Sequence, residues 1–171
     1  DVYKRQGVMR QNTVVPPLVR LSAKQYIRSL MFGEAVQTGA STGAIGRPYV
    51  EYFSDPFIIG LEDENAKLLY QILRSIEQSG LSQGINKINT GGVGADSNEE
   101  ATGNNYKKIA RELTLQLQEA LLRDAVKFEM DPILGIDVAV AIVDSNDKEV
   151  IDLRADWLPQ HIYGTTDYSN K

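Results

Sequence analysis

An α+β domain, with three helices packed on one face of a small, mostly antiparallel sheet and flexible N- and C-terminal arms, is the fold this chain predicts. Three observations carry the prediction. From Tyr106 to Phe128 apolar residues recur at Ile109, Leu113, Leu117, Leu121, Ala125 and Phe128, a spacing of three and four that keeps them on one helical face. Ile136-Asp-Val-Ala-Val-Ala-Ile-Val143 alternates bulky branched residues with small ones, as in a strand packed closely under a helix. Asp144-Ser-Asn-Asp147 is turn chemistry, and Val150, Ile151 and Leu153 equip the segment behind it to return as an antiparallel partner.

The elements follow in chain order. Asp1-Val-Tyr-Lys-Arg-Gln6 resembles the translated adapter sequence that prefixes open reading frames in metagenomic assemblies. Residues 1–20 are therefore expected to be a non-native prefix and an extended arm, with Val14-Val-Pro-Pro17 opposing helix and the native start at Met9 or further upstream. A single domain is expected over 21–157. Ser22 and Gln25 form a capping-box pattern, Leu21 and Tyr26 are placed for a hydrophobic staple, and Gly33 is a stop, which predicts a helix over Ser22 to Phe32.

Gly33 to Arg47 is rich in glycine and hydroxyls. Arg47-Pro48 stands where a phosphate-binding loop needs Lys-Ser/Thr, so a flexible loop is expected. Short β-rich segments around Ser54-Asp-Pro56 place strands in Tyr49 to Gly60. Glu62-Asp-Glu64 suits the positive end of a helix dipole and opens a helix over Asp63 to Ser79, with an apolar stripe of Leu68, Leu69, Ile72, Leu73 and Ile76. Ser82 to Gly103 is polar and glycine-rich and is expected to be a loop, mobile over its Gly/Asn-rich part at 89–103. The third helix is expected over Asn105 to Glu129; Asp131-Pro132 and Gly135 then turn the chain into the hairpin at Ile136 to Leu153. Residues 158–171 are expected to be a polar tail.

The long helix running into Val138-Ala-Val-Ala-Ile-Val-Asp144 is similar to the first helix and strand of small haem-binding α/β domains, and it also resembles the opening of nucleoside deaminases. The first resemblance implies a pocket between the helix and the strand at Val138 to Ile142. In that family a further helix and more strands follow the hairpin, whereas Leu158-Pro-Gln-His161 follows here. The second implies a zinc site built from His-x-Glu and a Cys-x-x-Cys pair, neither of which the sequence contains.

Composition narrows the function classes. The 171 residues are 42% hydrophobic and 24% charged, in the range of an ordinary globular domain. With 23 acidic and 18 basic residues the net charge is −5, which argues against broad attraction to nucleic acid or anionic membranes. The absence of cysteine excludes disulfides, thiolate metal sites and thiol nucleophiles. No apolar run is long enough to span a bilayer, and no secretion signal is seen; a cytoplasmic or virion location is expected.

No nucleophile elbow, His-Glu-x-x-His helix or paired carboxylates stand out, and no catalytic, cofactor or metal residue is assigned. His161, the sole histidine, has no evident partner. Trp157 fits a cap on the core edge or, with Tyr163, an interface anchor. The expectation is a non-enzymatic structural or assembly protein without a cofactor, such as a phage neck or tail component, forming a homo-oligomer through open sheet edges. The alternatives are a small-molecule, haem-like binding α/β domain and an unrecognised enzyme using carboxylates.

Overall fold

Leu18-Val-Arg-Leu21, which spans the end of the 1–20 stretch expected to be an arm and the first residue of the expected domain, is a buried strand in the middle of the main sheet. The computed structural model describes residues 3–31, 34–36, 48–50, 59–80, 82–97 and 101–170. Its strands are β1 (Tyr3–Met9), β2 (Leu18–Leu21), β3 (Glu34–Val36), β4 (Pro48–Val50), β5 (Ser82–Asn89), β6 (Gly92–Val93), β7 (Lys107–Lys108), β8 (Val126–Asp131), β9 (Ile136–Val143) and β10 (Glu149–Asp152). The helices are α1 (Ala23–Met31), α2 (Glu62–Gln78), α3 (Arg111–Leu122) and three short ones, α4 (Arg154–Trp157), α5 (Pro159–Ile162) and α6 (Thr165–Ser169).

Six strands make the main sheet. β1 runs parallel to β5; β5, β2 and β9 follow as antiparallel neighbours. β9 carries β8 along one edge and, end to end along the other, β2 and β10. Asp137 thus faces Met130 on one side and Arg20 on the other, while Ile142 faces Val126 and Ile151. The mixed α+β class expected from the sequence is present, but the three longer helices divide between the two faces. Val138 and Val140 point to α1 and α2, with Val19, Leu21 and Ile85; Ala139 and Ile142 point to α3, with Leu18 and Ile88. Residues 138–143 are buried on both sides, and a strand without a solvated face needs a layer over each. Each large apolar side chain buried this way contributes about 1.5–3 kcal/mol.

The expected helix from Asn105 to Glu129 is corrected at both ends. Lys107–Lys108 pair with β6, and α3 starts only at Arg111. At the other end Asp124 adopts φ 56, Asp124 N donates to Leu121 O at 3.2 Å, and Ala125 N donates to Ala120 O at 2.8 Å. That pair of bonds is a Schellman cap with aspartate in the left-handed position usually held by glycine. Val126 and Phe128 then pack on the core while Lys127 and Glu129 are exposed, a two-residue period that continues as β8.

Other segments differ in the same direction. Tyr3–Met9, overlapping the adapter-like prefix, pairs with β5. β5 itself comes from the polar stretch expected to be a loop, and residues 85–89 and 91–95 are buried. A Cβ at Gly94, which has φ +84, would collide with the Asn105 backbone, so the glycine there answers close packing. β4, from the region expected to supply sheet strands, pairs with β3 in a separate two-stranded unit. Residues 51–58 and most of the Gly33 to Arg47 loop lie outside the described residues.

Candidate functional site

Because β5 is flanked by β1 and, over residues 85–88, by β2, the side chains of that stretch lie in mid-sheet. Lys87 does so on the α1 face, in a row that reads Gly7, Lys87, Val19, Val138 across four strands. The residue is 9% exposed, and among the described residues it has no hydrogen-bond or ion-pair partner. Burial therefore pushes the ammonium pKa below its ordinary value, and no neighbouring charge offsets the push. Its ammonium is not sealed from solvent, and a lysine with a depressed pKa lining a cleft is the kind of group found at functional sites.

Lys87 lines a cleft of about 340 Å³ between α1 and the sheet. Met9, Val15, Val19, Leu21 and Ile136 supply apolar wall, and Gln11, Gln25 and Ser29 supply polar groups. Arg28 adds a second cation; among the described residues no carboxylate lines the cleft. Gln25, Arg28 and Ser29 stand three and four apart on α1 and so share one face of it. The first turn of α1 closes as the sequence predicts: Ser22 N donates to Gln25 Oε1 at 2.9 Å and Gln25 N donates to Ser22 Oγ at 3.3 Å. Gln25 Nε2 also donates to Gly135 O at 2.8 Å, which ties the helix to the β8–β9 turn and fixes one wall.

Gly7 leaves room beside Lys87 that a neighbouring aromatic uses. A Cβ at Gly7 would stand 3.0 Å from Cε2 of the Tyr26 ring, so the phenol lies directly on the β1 backbone. The far end of the cleft is braced by Asn89, which is fully buried. Its Oδ1 accepts from Gln11 N and Gly91 N, both at 3.0 Å, and its Nδ2 donates to Val15 O at 2.7 Å and Gly92 O at 3.1 Å. This one side chain holds the Gln11 to Val15 segment against the end of β5.

A second depression of about 340 Å³ opens across Leu21, Gln25 and Ile136 and contains Arg20, Glu77 and Asp137. The Arg20 guanidinium lies 3.8 Å from the Phe128 ring centroid. Burial lowers its pKa, and the carboxylates of Asp137 and Asp124 oppose that shift. Both charge signs meet there, whereas the Lys87 cleft holds cations alone, and that asymmetry singles out Lys87.

Trp157 and Tyr163, the residues singled out from the sequence, both contact their own chain. Trp157 packs on the α3-side core with Lys107 Nζ 4.5 Å from its ring centroid. The Tyr163 hydroxyl donates to Ala95 O at 2.7 Å and Thr13 O at 3.3 Å, and burial, with Asp96 nearby, pushes its pKa up to about 12. Neither lines the Lys87 cleft, and exposed His161 is also outside it. Glu62, Asp63 and Glu64 occupy the first turn of α2, where the dipole reading puts them; among the described residues no group of three or more His, Asp or Glu could hold a metal ion. No helix among the described residues is long and apolar enough to cross a membrane.

Sequence reasoning missed Lys87 and Arg28. The available signal was Ile85-Asn-Lys-Ile88, whose isoleucines anchor a strand, next to a well-capped helix bearing Arg28. The resemblances to haem-binding domains and deaminases rest on a helix feeding the apolar strand directly; here β8 stands between α3 and β9. Comparison with protein-family models and with curated proteins finds no match.

Proposed function

We propose that this protein binds a small organic anion with an apolar body, such as a short acyl or aryl carboxylate, in the cleft between α1 and the sheet. The observation that carries the reading is Lys87, buried without a counter-charge in a cleft whose other charged wall residue is Arg28. An entering carboxylate would pair with an ammonium whose desolvation the fold already bears in part, and the apolar wall would cover its chain. The volume lies at the small end of ligand-sized clefts, which favours a short ligand.

Calorimetric titration with octanoate tests the reading. Losing one charge-assisted hydrogen bond costs about 1.5–3 kcal/mol, so Lys87→Met is expected to weaken binding by about 10- to 100-fold, and Lys87→Arg by less. No heat with the wild type, or equal affinity in Lys87→Met, would sink it.

A second reading, a homo-oligomeric assembly protein such as a virion neck or tail component, is favoured by the sheet margins. Among the described residues β1 and β8 each pair along one side only, and strands open on one side can extend a sheet between copies. Light scattering behind size exclusion separates the two: a discrete oligomer supports assembly, and a monomer at micromolar concentration removes it.

A further inference from the structure

The same cleft supports chemistry beyond reversible binding. We infer that Lys87 is a Schiff-base-forming amine whose partner is a small oxo acid, with the carbonyl carbon at Nζ and the carboxylate held toward Arg28. The inference rests on the anion-cleft reading and extends it to a covalent step. Four features of the site support it. Lys87 is buried in mid-sheet without a hydrogen bond or ion pair, so nothing in the protein holds its nitrogen lone pair or its proton. Among the described residues the cleft wall contains no carboxylate that would keep the amine protonated. Arg28 supplies a permanent cation that gives an acid group its own partner. The remaining wall is mostly apolar and can cover the body of the acid.

Burial alone pushes the Lys87 pKa down, so its neutral, nucleophilic fraction at a given pH exceeds that of a solvated lysine. The step balances without an oxidant or reductant. The Nζ lone pair attacks the carbonyl carbon, the C=O π pair moves to oxygen, and a proton passes from nitrogen to that oxygen to give a carbinolamine. Loss of the hydroxyl with a second nitrogen proton releases one water and leaves C=N. Ser29 Oγ, which donates its own proton to Tyr26 O at 2.8 Å, keeps lone pairs free to accept a hydrogen bond at the cleft wall.

The test is reductive trapping on the intact wild-type chain with pyruvate and cyanoborohydride at neutral pH, followed by peptide mapping over its nine lysines. The expected result is one adduct, a mass gain of pyruvic acid less one oxygen. It should sit on Lys87 in clear excess over each other lysine, because a lowered pKa enlarges the free-amine fraction there. Excess octanoate should suppress it, and Lys87→Arg should give no dominant adduct. Octanoate binding without a preferred adduct would overturn the imine and leave the anion cleft standing. Adducts spread over lysines by exposure, with no octanoate binding, would overturn both. Because the map is read on the wild type, the proposal stays testable if a variant fails to fold.

Discussion

Replacing Lys87 with methionine keeps an unbranched chain of similar reach between Gly7 and Val19 and removes the charge. Lys87 is 9% exposed as a residue and has no partner among the described residues, but its ammonium is not sealed from solvent, so the native state bears only part of its desolvation. Leaving a buried polar group unsatisfied costs about 1–3 kcal/mol, and more for a charge. For a partly solvated ammonium the penalty is smaller, and Lys87→Met is expected to be more stable than wild type by up to about 1 kcal/mol at neutral pH, a rise in Tm of up to roughly 4 °C for a chain this long. The gain depends on pH with a definite sign. Between the lowered native pKa and the ordinary lysine value of about 10.4, the unfolded chain binds a proton that the native state has shed, so wild-type stability rises with pH there. The advantage of the variant is largest at low pH and shrinks as pH climbs toward that ordinary value. Urea unfolding of both proteins across neutral to alkaline pH measures it. A Lys87→Met protein less stable than wild type by more than about 1 kcal/mol would refute the reasoning, because it would mean the ammonium makes favourable contacts.

Other perturbations probe the frame around the cleft. Asn89→Ala removes four hydrogen bonds to the backbone and is expected to cost about 3–5 kcal/mol, at the upper end for single substitutions, and to weaken octanoate binding by loosening Gln11 and Val15; a loss below about 1 kcal/mol in chemical denaturation would contradict the brace. Tyr168, 2% exposed, donates to Asp131 Oδ2 at 2.9 Å, so Tyr168→Phe should cost about 1.5–3 kcal/mol, and an unchanged unfolding midpoint would show that α6 is not docked there. Tyr163 should hold its proton up to about pH 12, a contribution to stability present below the ordinary tyrosine pKa and lost as pH rises through the folded value. Difference absorbance titration of wild type against Tyr163→Phe checks this, and a difference signal centred at the ordinary tyrosine pKa contradicts it.

What could be read from the sequence was local, and what could not depended on partners far along the chain. The capping box of α1 needed only Ser22 and Gln25, and both its hydrogen bonds form. Leu113, Leu117 and Leu121 are buried as their spacing requires, while Leu115 and Leu122, which widen the stripe, are exposed. In α2 Leu73 is buried but Leu68 and Ile72 are not, since the helix covers less of the sheet than its apolar stripe allows. β8 was hidden because an aspartate, not a glycine, ends α3. β5 was hidden because it carries polar and apolar residues on both faces: Ile85 and Lys87 toward α1, Asn86 and Ile88 toward α3. Local polarity reads as a loop, and only pairing with Gly7 and Val19 makes it a central strand. The cleft inherits that difficulty, since its walls come from β1, β2, α1, β5 and β9.

The most direct test of the Lys87 cleft is an NMR titration of the Lys87 side chain with pH, in the absence and presence of octanoate. The account predicts that Lys87 loses its proton below the ordinary lysine range when the cleft is free, and that bound carboxylate moves the titration upward by favouring the ammonium. A Lys87 that titrates with the solvated lysines and ignores octanoate would contradict it.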